Sequence, residues 1–144
     1  MSRFITMVFE KSLLERIDNP DLSGARSLEI DAGKISESVI NHLRNMFNVR
    51  KGSVMTLDEY GMPDFNDIVA DFPNAIKVIR SVIRDLIRKF EPRLKQVSVA
   101  HVADETKPLD LYFQIKAELH LEGEKVPIMF ETIVGDGGSV RVRR

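Results

Sequence analysis

A chain of 144 residues is long enough to bury a core as one domain, and the lack of cysteine removes disulfide and thiolate chemistry. With 21 Lys and Arg against 22 Asp and Glu, the net charge of −1 supplies no global field for nucleic acid or an anionic membrane surface. No stretch nears the ~20 apolar residues of a membrane-spanning helix, and Glu10 and Lys11 interrupt the N-terminus before signal-peptide length, so a soluble cytosolic protein is expected.

Residues 4–17 have the spacing of a short helix, with Phe9, Leu13, Leu14 and Ile17 on one face. Asn19-Pro20-Asp21 ends it, and a polar linker runs to Gly33. Residues 1–33 therefore read as a helix and linker that packs on its own domain or docks on another subunit, and 34–144 as a single domain. The first strong helix is expected over Ser36–Asn48. Ile35, Val39, Ile40, Leu43, Met46 and Phe47 recur at helical spacing, and Ser36 suits the N-cap. Arg50 and Lys51 complement the helix C-terminus and Gly52 makes a turn, whereas a phosphate loop would lead into a helix N-terminus.

Between Ser53 and Asn74, Gly61 and Pro63 punctuate a loop. Asp64 then caps a short helical turn that carries Phe65, Ile68, Val69 and Phe72 inward. Asp64, Asp67 and Asp71 share a face, a pattern more often solvated and favoured by the dipole than metal-binding. The main helix is expected over Asn74–Phe90, with Ile76, Ile79, Ile83, Leu86, Ile87 and Phe90 as its apolar stripe. Lys77, Arg80, Arg84 and Arg88 line another face. That row is either solvated, or meets an acidic partner surface, or supplies a cation to Glu91.

Pro92 cannot continue the helix and pushes Glu91 out of the helical region, so the break falls there. Glu91, an anion at a helix C-terminus, needs a cation, and Arg93 or Arg88 can provide it. The corner is then a structural clamp or a rigid charged knob offered to a partner. Beyond it the period changes from 3.6 to 2. Gln96–Val102 reads as one strand and Leu109–Leu121 as a long strand with alternating wet and buried faces. Glu122-Gly123-Glu124-Lys125 turns into Val126–Val134, and Gly135-Asp136-Gly137-Gly138 turns into a terminal strand at Ser139–Val142. The expected fold is α+β: two to three helices packed on one face of a mainly antiparallel sheet of about four strands.

Glu91-Pro92-Arg93-Leu94 resembles the Glu-Pro-Arg-Leu signature of the TssE family of type VI secretion baseplate components. That family is itself similar to a contractile-phage baseplate wedge protein long labelled lysozyme-related. Ser12-Leu13-Leu14-Glu15-Arg16, Leu43 to Arg50, and Tyr60-Gly61-Met62-Pro63-Asp64 resemble further family motifs in the same order. The resemblance implies a structural wedge subunit without cofactor or metal, sitting with TssF, TssG and TssK on the cytoplasmic side of the inner membrane. It also implies that the subunit primes growth of the TssB and TssC sheath. On that reading Glu91, Pro92, Arg93 and Leu94 lock against TssF and TssG. The sheet edge at Val140, Arg141 and Val142 accepts or donates sheath strands. Arg50, Tyr60, Arg84 and Arg88 are further candidate contacts. No nucleic acid, membrane insertion or small-molecule substrate is expected.

The lysozyme-related label calls for a test of glycosidase chemistry, which needs two suitably spaced carboxyls, one kept protonated by an apolar setting. Glu91 is the best acid, with Asp58, Glu59 or Asp64 as the second group. Arg93 would lower the Glu91 pKa, the wrong direction for a general acid, and without tryptophan the chain lacks an obvious sugar platform. His42, His101 and His120 are scattered, and no nucleophile elbow or P-loop pattern occurs. No catalytic residue is therefore expected. The alternatives are a phage-tail-type peptidoglycan hydrolase, or the equivalent wedge protein of a phage or tailocin.

Overall fold

A computed structural model describes residues 32–65, 68, 74–107, 110–121 and 123–144. The helix expected over residues 4–17 and most of its linker lie outside them. Helix α1 spans Ala32–Asn48 and buries Ile35, Val39, Leu43, Met46 and Phe47 along one face. It starts one turn before Ser36 and two residues ahead of the boundary set at residue 34. Ile35, fully buried, sits in that first turn and extends the apolar face of the helix. Ser36 is consequently no N-cap. It lies inside the helix, 4% exposed, and its hydroxyl has no hydrogen-bond partner among the described residues. An orphaned buried hydroxyl costs about 1–3 kcal/mol, which the neighbouring apolar burial offsets.

The loop after α1 folds back on the helix end. Lys51 N donates to Met62 O and Met62 N to Val49 O, both at 2.8 Å. This close approach explains Gly61: at φ +102, a Cβ there would stand 2.4 Å from the Val49 carbonyl oxygen. Phe65 and Ile68 pack against the core, whereas Asp67, Val69, Asp71 and Phe72 lie outside the described residues. Helix α2 spans Asn74–Phe90 and buries Ile79, Ile83, Leu86 and Ile87. Its last backbone bond runs from Glu91 N to Ile87 O at 2.9 Å, where Pro92 ends the ladder.

Four antiparallel strands follow in the order β1 (Leu94–Val102), β2 (Leu111–Leu121), β3 (Glu124–Val134) and β4 (Val140–Arg143). The long β2–β3 hairpin sets Ile115 opposite Phe130, Ala117 opposite Ile128 and Leu119 opposite Val126, so the buried positions of both strands share one face. β1 begins two residues before the expected Gln96. Leu94 and Val97 are both buried although three residues apart, an odd spacing that regular alternation would split between faces. A bulge between Lys95 and Ser98, with Gln96 at φ 53, returns Val97 to the inner face. The Gly135–Gly138 stretch is a hairpin turn, closed by Gly135 N donating to Ser139 O at 2.9 Å. The terminal strand runs one residue later than expected, from Val140 to Arg143. Both helices cover the apolar face, α1 beside β4 and α2 beside β1, and Phe47, Phe113 and Phe130 fill the space beneath them.

Candidate functional site

The helix-to-strand corner gathers charge from three elements. Glu91 is 1% exposed, and both of its carboxylate oxygens are filled. Oε1 accepts from Arg93 Nε at 2.7 Å and from the Arg93 backbone amide at 3.3 Å. Oε2 accepts from Arg93 Nη2 and from His42 Nδ1, both at 2.8 Å. A carboxylate only accepts, so the His42 proton must sit on Nδ1. The remaining Arg93 arm donates to Ser38 Oγ at 3.1 Å. Ser38 and His42 lie four residues apart on α1 and so face the same way. The Arg93 carbonyl accepts from the His120 amide at 3.0 Å, which extends the tie to β2.

An aromatic stack leans on this cluster. Tyr60 stacks on His42 with ring centres 6.4 Å apart and meets the Phe90 ring edge-on at 5.1 Å. Burial and the Glu91 charge push the Tyr60 hydroxyl pKa up. For Glu91 itself, burial pushes the carboxyl up. The hydrogen bonds and charges of Arg93 and His42 outweigh burial and hold the carboxyl below the usual carboxylate range.

The geometry is that of an internal clamp, and Arg93 rather than Arg88 is the cation. Of the four residues expected to meet a partner, Glu91 and Leu94 are enclosed at 1% and 2% exposure and have no surface to offer. Pro92 is exposed and the Arg93 side chain keeps a narrow accessible rim. The sequence reading missed Ser38 and His42. Their signal was two polar residues at helical spacing on the flank of an apolar stripe.

The strand edge at Val140, Arg141 and Val142 is outermost in the sheet, but it is not bare. Asn48 Nδ2 donates to Val140 O at 2.8 Å while its Oδ1 accepts from Val140 N at 3.1 Å, so a side-chain amide imitates a neighbouring strand. Arg44 Nη2 donates to Val142 O at 3.0 Å. These α1 side chains stand where a fifth strand would pair. Arg141 points outward beside Asp110, 3.5 Å away. The other candidate contacts are spread out. Arg50 pairs with Asp64, Tyr60 belongs to the clamp, Arg84 meets Asp85 at 3.2 Å, and Arg88 is exposed without an ion pair among the described residues.

Of the carboxyls weighed for glycosidase chemistry, Glu91 has its pKa lowered, the wrong direction for a general acid. Glu91 is held ionised with all its near acceptor positions used. A groove of about 450 Å³ between α2 and the preceding loop has apolar walls at Val78, Val82, Leu86 and Phe90. Its carboxyls, Glu59 and Asp85, are more than half exposed and paired with Lys89 and Arg84. Among the described residues, no group of three or more His, Asp and Glu is placed to hold a metal ion.

Comparison with known proteins locates this architecture. Residues 34–124, well over half of the chain, match the family model described as baseplate wedge protein gp25. No protein with a curated functional description matches the chain. Among solved structures, a chain of the baseplate complex from the type VI secretion system superposes with a TM-score of 0.58 at 25% identity. The match covers 70% of this chain and 93% of that one. A Geobacter sulfurreducens protein described provisionally as a tail lysozyme superposes with a TM-score of 0.51 at 14% identity, covering 73% of this chain and 94% of its own. That likeness extends to the fold alone. The matched segment runs from α1 through the Glu91–Arg93 clamp to the β2–β3 hairpin, and the chain belongs to the baseplate wedge protein gp25 family.

Proposed function

We propose that this baseplate wedge protein is a TssE-type subunit of a type VI secretion baseplate, acting as a structural part and not as a hydrolase. The observation that carries this reading is the corner. The most family-like residues of the sequence converge on a buried, fully bonded ion cluster that fixes the angle between two helices and the sheet. Such a cluster adds little net stability over an apolar substitute, but it specifies one geometry. A rigid junction of that kind suits a subunit whose work is to hold neighbours in register. The likeness to the type VI baseplate chain supports the choice of system.

In this reading the wedge also contains TssF, TssG and TssK and lies on the cytoplasmic side of the inner membrane. No helix among the described residues is long and apolar enough to cross a membrane. The corner docks on TssF and TssG through Pro92 and the accessible rim of Arg93, with Glu91 and Leu94 holding that rim in place. Sheath growth from TssB and TssC starts at a sheet edge by strand addition. With β4 engaged by Asn48 and Arg44, β1 is the edge that offers unoccupied backbone. It pairs with β2 on one side, and none of its residues bonds another strand among the described residues.

The test is co-purification with TssF and TssG, wild type beside Pro92→Glu and Arg93→Ala, with circular dichroism of each variant alone. Loss of the complex by a folded Pro92→Glu variant supports docking through the corner. Retention by both variants moves the interface elsewhere. Cleavage of purified peptidoglycan by the wild type would restore the hydrolase reading. For the sheath edge, proline is placed at Val99 and, separately, at Ala100. One removes an amide of the β2 ladder and destabilises the fold, while the other removes an outward amide and is tolerated. The tolerated variant should block sheath growth while wedge assembly continues. Unchanged sheath growth would rule out β1.

A further inference from the structure

Helix α2 carries five cations, Lys77, Arg80, Arg84, Arg88 and Lys89, against one acid, Asp85. Arg84 is engaged by Asp85 and Lys89 by Glu59. Lys77, Arg80 and Arg88 are exposed, and among the described residues their side chains have no ion pair or hydrogen bond. Together with Arg84 they form a row about 16 Å long. The row lies on the flank of α2 away from the apolar groove, which the helix lines with Val78, Val82, Leu86 and Phe90.

A merely solvated helix face is ordinarily laced with opposite charges three or four residues apart, since each such pair supports the helix and each like pair opposes it. Here Arg80 with Arg84 and Arg84 with Arg88 are like pairs at four residues, and Lys77 with Arg80 is another at three. The helix dipole accounts for Arg88 and Lys89 in the last turn. It works against Lys77, which lies in a first turn that carries no acid. Acids are not scarce, for the chain has one more of them than cations. The row thus repels itself and, among the described residues, gains nothing apart from the Arg84–Asp85 contact.

We propose that this row docks on an acidic face of a neighbouring protein subunit, a line of Asp and Glu presented by a helix or strand of similar length. Arginine forks suit such carboxylates because two parallel hydrogen bonds fix both position and angle. The row is one side chain wide, with Asp85 beside it and Glu59 beyond. A duplex or anionic bilayer, whose charge spreads over a broader area, would meet those carboxylates as well. No aromatic residue interleaves the cations to stack a base. The proposal rests on the baseplate reading above, which supplies the neighbouring subunits.

The test uses the full chain co-expressed with TssF and TssG in one arm and with TssB and TssC in the other. Wild type is compared with Lys77→Glu/Arg80→Glu and with Lys77→Gln/Arg80→Gln. Neither residue belongs to the corner clamp, and circular dichroism checks each fold. The expected result is retention of the wild type, at least about tenfold weaker retention of the reversed pair in one arm, an intermediate neutral pair, and a similar loss for wild type at high salt. Equal retention of all three in both arms overturns the proposal and leaves the row solvated. Failure of the wild type in both arms overturns the baseplate reading itself and this proposal with it. Binding of the wild type to duplex DNA or phosphatidylglycerol vesicles, lost on charge reversal while subunit retention is unchanged, overturns the protein partner.

Discussion

The corner and the outer flank of α2 lie within one stretch of chain and use the same residue types in opposite ways. At the corner, Glu91, Arg93, His42 and Ser38 satisfy one another almost out of reach of water. On the flank, Lys77, Arg80 and Arg88 are exposed with no partner among the described residues, and each like-charged neighbour opposes the next. The difference separates residues that make the fold from residues that are available to read another surface. A recognisable signature is no guide to which is which, because the signature residues of this chain are mostly spent internally.

Breaking the clamp should produce the largest effect. Glu91→Ala leaves the Arg93 guanidinium largely buried without its carboxylate, and removing one partner of a buried ion pair typically costs about 3–5 kcal/mol. Urea unfolding should show that loss as a lower midpoint. A change below about 1 kcal/mol would mean that water replaces the carboxylate and that the junction is looser than its geometry implies.

Acid should weaken the clamp in wild type and leave the neutral variant Glu91→Gln less affected. The folded Glu91 pKa lies below the ordinary value of 4.5. Its contribution is therefore fully present above that value and is lost as pH falls below it through the depressed folded pKa. Thermal unfolding across this window should bring the two proteins' midpoints together as pH falls. Parallel curves would assign the acid sensitivity to other carboxylates.

Asn48 is a neutral counterpart of the clamp, sealing an edge where Glu91 seals a corner. Asn48→Ala removes both hydrogen bonds to Val140 and should cost about 1–2 kcal/mol, the range for hydrogen bonds lost at a partly buried site. Faster hydrogen exchange at the Val140 amide should accompany it. Unchanged exchange would show that Arg44 and the strand pairing with β3 suffice to hold β4.

Much of this was legible in the sequence where the determinant is local. Pro92 fixes the break at Glu91, and Arg93, two residues on, is near enough to set the direction of the Glu91 pKa. The alternation through Leu111–Leu121 names the buried face of β2 because a strand has only two faces. Periodicity reports which face is covered but not by what. His42 meets Glu91 across 49 residues of chain and Asn48 meets Val140 across 92, and no local spacing encodes either contact. The Ser36 cap failed for a related reason, since the helix already begins at Ala32 and carries Ile35 into the core, and a capping preference of about 1 kcal/mol does not fix where a helix starts. The bulge at Gln96 was in principle readable from the odd spacing of Leu94 and Val97, given the knowledge that both are buried.

The smallest predicted effect has the opposite sign and completes the contrast between corner and flank. Arg80→Gln removes a charge that has no partner among the described residues and that repels Arg84 four residues on, so the isolated protein should be unchanged or stabilised by about 0.2–0.5 kcal/mol. Because the removed interaction is a surface repulsion, the gain should shrink as salt is raised. Chemical denaturation in urea, which adds no ionic strength, at low and high NaCl resolves both features if midpoints are compared side by side. A loss of about 1 kcal/mol or more would place Arg80 in an internal contact and remove the distinction drawn between the two regions. A salt-dependent gain would show that the helix holds this charge at its own expense, as expected of a residue whose return comes only when an acidic surface is docked against it.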